Sequence, residues 1–137
     1  MKKLLFITSI LLCLFLISCA NESGKTVYDK GEKVMYEQIS AEDAKKIMDS
    51  CEDCIILDVR EQDEYNEGHI SDAILIPYTE IDDKAEKMLP DKDKLILVYC
   101  RSGRRSKIAA ESLVKIGFTN VKEFGGIIDW PYEIEKE

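Results

Sequence analysis

The sequence predicts an α/β fold built on a mainly parallel sheet. The first observation is alternation. Short β-branched apolar runs, at 55–57 and 95–99, are separated by longer segments whose apolar residues recur at spacings of three and four. The second is that charge or turn residues follow those runs at once: Asp58-Val59-Arg60 after the first and Cys100-Arg101-Ser102-Gly103 after the second. Right-handed crossovers place the C-terminal ends of parallel strands along one edge of the sheet, where ligands bind in such folds. The two charged stretches are therefore expected to share an edge. With 137 residues there is material for one domain with a real core. A net charge of −8 argues against a nucleic-acid partner.

Residues 1–18 read as a signal peptide. Met1-Lys2-Lys3 is cationic, and 4–17 is an apolar stretch too short to span a bilayer comfortably. It ends in Leu16-Ile17-Ser18-Cys19, which resembles the bacterial lipobox. That resemblance implies cleavage before Cys19, lipid attachment to Cys19, and a lipid-anchored protein at the cell membrane or envelope, facing outside the cytoplasm. An ordinary signal peptide or an uncleaved anchor is the alternative. Cys13 would leave with the signal. Residues 19–33 are polar without apolar periodicity and are expected to be a flexible tether. Residues 34–137 form the domain.

Within the domain, 34–39 reads as a weak strand at a sheet edge. Ser40 suits an N-cap, with Glu42 and Asp43 in the first turn of a helix running to about residue 50. Cys51-Glu52-Asp53-Cys54 follows a helix C-terminus and encloses two acids, and both features raise thiol pKa values. No second CxxC or histidine cluster completes a zinc site, so no metal and no cofactor is expected. The pair reads as a structural disulfide or two idle thiols, with relay of sulfur or electrons as the alternative. The run at 55–57 is a buried strand, 61–67 a short polar helix or turn, and 73–76 a strand stopped by Pro77. A helix is expected over 79–89 with Ile81, Ala85, Met88 and Leu89 inward. The 95–99 strand, a helix over 106–116 closed by Gly117, and a strand over 119–124 follow. Gly125-Gly126 punctuates that last strand, and a short helix at 127–130 is cut by Pro131.

Cys100 thus stands between a strand and a helix. Backbone N–H groups of the loop and first helical turn would favour its thiolate, as would adjacent guanidinium groups. The chain has four arginines, Arg60, Arg101, Arg104 and Arg105, and three of them lie within five residues of Cys100. Arginine donates bidentate hydrogen bonds to oxyanions. A basic knot around one cysteine in an acidic chain points to a nucleophile handling an anionic substrate.

Three motifs together resemble the rhodanese-like domain of sulfurtransferases, over about 35–130. They are Asp58-Val59-Arg60-Glu61 with Glu64-Tyr65, Gly68-His69-Ile70, Ala73 and Ile76-Pro77; then Cys100-Arg101-Ser102-Gly103-Arg104-Arg105-Ser106; then Gly125-Gly126 with Trp130. The resemblance implies a three-layer fold with a mainly parallel central sheet of about five strands flanked by helices. It implies that Cys100 takes a sulfane sulfur as a persulfide from a small anionic donor such as thiosulfate and passes it to a thiol or cyanide. Arg60, Arg101, Ser102, Gly103, Arg104 and Arg105 are the implied substrate-binding residues, with Arg101 and Arg60 preferred for the oxyanion. Asp58 and His69 are assigned supporting roles, His69 as a hydrogen bond holding its turn rather than a base for Cys100. Trp130 reads as a core plug. Related phosphatases place five residues between Cys and Arg. Here Arg105 comes one residue early, which suits a sulfur-sized group. The alternatives are a sulfur carrier or anion- or partner-binding module that does not turn over, and a thiol–disulfide protein using Cys51, Cys54 and Cys100. A thiol-redox partner protein would keep Cys100 reduced outside the cytoplasm.

Overall fold

The computed structural model describes residues 24–29 and 33–137. The readings of 1–18, Cys13 and Cys19 lie outside the described residues. One six-stranded sheet runs in the order β1-β2-β6-β5-β3-β4, where β1 is Lys25–Asp29, β2 Lys33–Gln38, β3 Ile55–Asp58, β4 Ile74–Leu75, β5 Ile96–Cys100 and β6 Val121–Gly126. Among the described residues only the β1–β2 pair of strands is antiparallel; the other neighbours are parallel. Among the described residues four α-helices complete the layers: α1 (Ala41–Ser50), α2 (Gln62–Glu67), α3 (Ile81–Met88) and α4 (Arg104–Lys115).

The α/β class and parallel core follow the sequence expectation, with six strands rather than five. The difference is β1. It arises in the polar stretch read as tether, where Val27 packs against the core. A two-stranded antiparallel pairing needs no apolar periodicity when one partner sits at the sheet edge, so the stretch gave no strand signal. As a result β2 is an interior strand and not the expected edge.

Strand β5 is central and buried along its whole length. Its alternation splits the core into two layers. Ile96, Val98 and Cys100 join Ile81, Ala85, Ala109, Ala110 and Leu113 of α3 and α4 on one face. Leu97 and Tyr99 join Ala44 of α1, Phe124 and Trp130 on the other. Trp130 plugs this second layer, its ring 5.5 Å from Phe124.

Local chemistry sets the helix ends. The Ser40 hydroxyl accepts the Asp43 N–H at 3.0 Å and caps α1, a contact worth about 1 kcal/mol. The segment expected as one helix over 79–89 divides into a 3-10 turn, Tyr78–Glu80, and α3. Ile81, Ala85 and Leu89 point inward as expected, but Met88 is 45% exposed. Positions 81, 85 and 89 already fill the inward stripe at a spacing of four, and 88 falls beside it.

Candidate active site

Cys100 ends β5, and the loop that follows wraps back over its sulfur. The residue is 1% exposed. Gly103 lies in the left-handed region at φ 97° and caps α4; that turn lets its N–H donate to Cys100 Sγ at 3.0 Å. Ser106, in the first turn of α4, sets its hydroxyl oxygen 3.5 Å from the same sulfur. Burial pushes the thiol pKa up, but the Ser106 hydroxyl and the N–H groups of Ser106, Gly103 and Ser102 outweigh it, so the thiol lies below the ordinary cysteine value.

The loop is held from behind by the end of β6. Cys100 is in register with Gly126, and the Ile128 N–H donates to the Arg101 carbonyl at 3.2 Å. The backbones approach so closely that a Cβ on Gly126 would lie 2.5 Å from Ser102 Cα and closer still to the Arg101 carbonyl oxygen. Gly126 is thus required by contact, independent of its own dihedrals.

The four arginines divide into two kinds. Arg60 departs from the oxyanion role expected of it. Its guanidinium reaches Asp58 Oδ2 at 2.6 Å and the Gly68 carbonyl at 2.7 Å, with only 5% of the side chain exposed. The reason is local: Asp58 ends β3 two residues earlier, is wholly buried, and also accepts the Arg60 N–H at 3.0 Å. Arg105 is likewise engaged, in a bidentate pair with Glu64 of α2 at 2.7 Å through each nitrogen. That pair lowers the Glu64 carboxyl to about 2. Arg105 therefore ties α4 to α2 and faces substrate at most through its field on the sulfur. Arg101 and Arg104 are exposed and make no ion pair among the described residues. Those two guanidinium groups stand free at the loop that carries Cys100.

His69 makes ring contacts within its own turn. Its ring stacks on Tyr65 at 3.8 Å and Nδ1 lies 3.0 Å from the Tyr65 carbonyl, a hydrogen bond when that nitrogen carries the proton. Its backbone exchanges two hydrogen bonds with Glu135. No hydrogen bond joins it to Cys100 among the described residues.

The CxxC pair lies apart from the site. Cys51 and Cys54 are free thiols. The Cys54 thiol donates to the Cys51 carbonyl at 3.6 Å, and burial followed by its Cys51 neighbour pushes it up to about 11. Both precede β3, while Cys100 ends the parallel neighbour β5. Ile55 pairs with Ile96, so the two sites sit at opposite sheet edges, about 15 Å apart at the strand rise. This corrects the reading that joins Cys51, Cys54 and Cys100 in one redox site.

Two residues that brace the site were given no role from the sequence: Glu64, quoted only within the first motif, which anchors Arg105, and Glu123, which is 2% exposed and accepts the Ser106 hydroxyl at 2.6 Å. A signal existed for the second. Alternation from Val121 puts position 123 on the core face of its strand, where an acid is out of place. A hollow of about 800 Å³ lined by Met48, Ile56, Ile70, Trp130 and Tyr132 contains none of the loop residues. A shallower cleft of about 240 Å³, lined by Arg60, Glu64, Ile127, Ile128 and Ile134, adjoins the residues that brace the loop.

The family model for the rhodanese-like domain matches residues 40–131. The chain is 38% identical over 73 residues to thiosulfate sulfurtransferase PspE of Escherichia coli (strain K12), covering 53% of this chain and 70% of that one. It is 39% identical over 98 residues to thiosulfate sulfurtransferase GlpE of Coxiella burnetii, covering 71% and 89%. A solved structure of a rhodanese with anions from E. coli superposes with a TM-score of 0.57 at 35% identity, covering 61% of this chain and 98% of that chain. On the matched span, the parallel sheet and the cysteine loop between β5 and α4, the chain belongs to the rhodanese-like family.

Proposed function

We propose that this rhodanese-like enzyme takes up a sulfane sulfur on Cys100 as a persulfide, from thiosulfate or a similar anionic donor, and hands it to a thiol or cyanide. The observation that carries this reading is Cys100 itself: 1% exposed, at a strand end, with the Gly103 N–H on its sulfur at 3.0 Å. The Cys100 thiolate attacks the outer sulfur of thiosulfate. The new S–S bond forms as the bond to the sulfonate sulfur breaks, and sulfite leaves with that electron pair. Arg101 and Arg104, and the N–H groups of Ser102 and Gly103, stabilise the anions on either side of this step. An acceptor then attacks the outer sulfur of the persulfide and returns the thiolate. The names of the curated relatives, thiosulfate sulfurtransferases, support the same donor.

Our reading of the N-terminus is a lipid on Cys19 that holds the domain at the outer face of a membrane, after removal of 1–18. The cationic start, the short apolar stretch and Leu16-Ile17-Ser18-Cys19 support it. Palmitate labelling lost in Cys19→Ser checks this part.

The test of the activity is peptide-resolved mass spectrometry of the reduced full-length protein before and after thiosulfate. A gain of one sulfur atom on the Cys100 peptide, absent in Cys100→Ser and discharged by cyanide or a thiol, is expected. An adduct that resists discharge would replace turnover with a carrier role. No adduct on a Cys100 that alkylates freely would remove thiosulfate as the donor.

A further inference from the structure

The buried carboxylate of Glu123 has no part in the sulfur chemistry above, yet it is joined to the nucleophile through one hydroxyl. Its Oε1 accepts the Ser106 hydroxyl at 2.6 Å and the Gly125 N–H at 2.8 Å. Its Oε2 lies 3.5 Å from Gln38 Nε2. No Lys, Arg or His pairs with it among the described residues. Ser106 is 0% exposed. Its oxygen is also within 3.0 Å of the Gly103 carbonyl and 3.3 Å of the Gly125 carbonyl, but its single proton goes to the shortest and charged acceptor, Glu123. The lone pairs of Ser106 are then left to accept from the Cys100 thiol 3.5 Å away. The hydrogen-bond chain runs from S–H to Oγ–H to carboxylate.

Ionising the thiol changes what that chain can satisfy. A thiolate needs the Ser106 proton that is already donated to Glu123, and one hydroxyl cannot serve two buried anions. We propose that Glu123 takes up the proton that leaves Cys100, with Ser106 as the relay. The S–H bond breaks as its proton moves to Ser106 Oγ. The original Ser106 proton moves to Glu123 Oε1, giving thiolate, hydroxyl and neutral carboxylic acid. Net charge in the buried unit stays constant, and Ser106, now held by the carboxylic acid O–H, turns its own proton to the sulfur. Glu123 acts here as a positioning residue through Ser106 and touches no substrate.

The titratable groups around the unit come from each neighbouring element. Tyr36 of β2 faces Glu123, and its hydroxyl is pushed up by burial and then by the charges of Glu111 of α4 and Glu123. Arg105 of α4 feels the Cys100 charge. Tyr36 and Arg105 are both shifted further from neutrality, so neither competes for the Cys100 proton in the working range.

The inference rests on Cys100 being the nucleophile, and its test separates the two claims. The rate of Cys100 alkylation by iodoacetamide is followed across pH in the full-length protein, read on the Cys100 peptide. Wild type is expected to show two inflections with a plateau between them, because one proton is shared by two sites. Glu123→Gln keeps the shape but cannot take a proton, and is expected to show one inflection. Ser106→Ala cuts the relay, gives one inflection as well, and slows neutral-pH alkylation on the order of tenfold, the worth of one lost hydrogen bond to the thiolate. Thermal unfolding confirms that each variant is folded, and Ser106→Ala decides the matter if Glu123→Gln is not. A single inflection in wild type, or a two-step profile retained in Glu123→Gln, overturns the relay and leaves the nucleophile standing. A wild-type Cys100 that resists alkylation at every pH overturns the nucleophile and the relay with it.

Discussion

Gly126→Ala adds one methyl at the tightest approach in the site. The new carbon would lie 2.5 Å from Ser102 Cα and nearer still to the Arg101 carbonyl oxygen. Carbon atoms rest about 3.5 Å apart, so the backbone of 101–102 must retreat by about 1 Å. No flexible side chain can yield instead, because the opposing atoms are backbone. The retreat breaks or lengthens the Ile128 N–H bond to Arg101, which is 3.2 Å in the native loop, and shifts the N–H groups around Cys100. Overpacking of this kind costs about 1–3 kcal/mol of stability. A displacement of about 1 Å in a reacting group lowers rates on the order of 100-fold. Urea unfolding measures the first effect, and single-turnover sulfur uptake from thiosulfate, read on the Cys100 peptide, measures the second. A variant within about 0.5 kcal/mol of wild type that keeps its rate within about twofold would show that the loop is not braced by β6, and the account of the site would have to change.

Three further outcomes follow from the arginines. Arg60→Ala strands the buried Asp58 carboxylate and is expected to cost about 3–5 kcal/mol in urea unfolding; normal stability with a raised KM would make Arg60 a substrate ligand after all. Arg101→Ala is expected to leave unfolding unchanged and to slow sulfur uptake on the order of tenfold at low salt, with the difference shrinking as salt rises. The Glu64–Arg105 pair predicts acid sensitivity: Glu64 is lowered from 4.5 to about 2 by Arg105 first, so its contribution is complete above about pH 4.5 and is lost as pH falls toward 2. With the pair partly solvated that contribution is about 1 kcal/mol, and Glu64→Gln should flatten the acid limb of a stability–pH curve by that amount.

The fold was largely legible because its core strands carry their own pattern. The apolar run ending at Tyr99 and the amphipathic helix after Arg105 specify burial on both faces of β5 and one face of α4. Strand β1 was hidden because an edge strand needs only a partner, and the partner's register is set elsewhere in the chain. At the site, the position of Cys100 between a strand and a helix follows from local spacing. What each arginine does is not local. Arg105 and Glu64 are 41 residues apart, and no periodicity links them. Arg60 is the instructive case. Topology does bring it to the correct edge, beside Tyr99, but a buried acid two residues away captures the guanidinium first. Sequence placed the residue, and only side-chain competition decided its role. Glu123 shows the reverse: its strand position marks it as inward, and the meaning of that appears only once Ser106 is seen between it and Cys100.

The antiparallel pairing of β1 with β2 also has a mechanical side. Lys25 is opposite Gln38, so a force applied to the chain ahead of Gly24 meets the open end of that pair and peels it bond by bond, a weak unzipping geometry. Strand β5 lies three places further into the sheet, about 14 Å away at ordinary strand spacing, and its parallel neighbours would be loaded only after β1 had come free. Tension arriving from the N-terminal side would thus be absorbed by β1, and the loop that carries Cys100 would keep its shape while that strand peels.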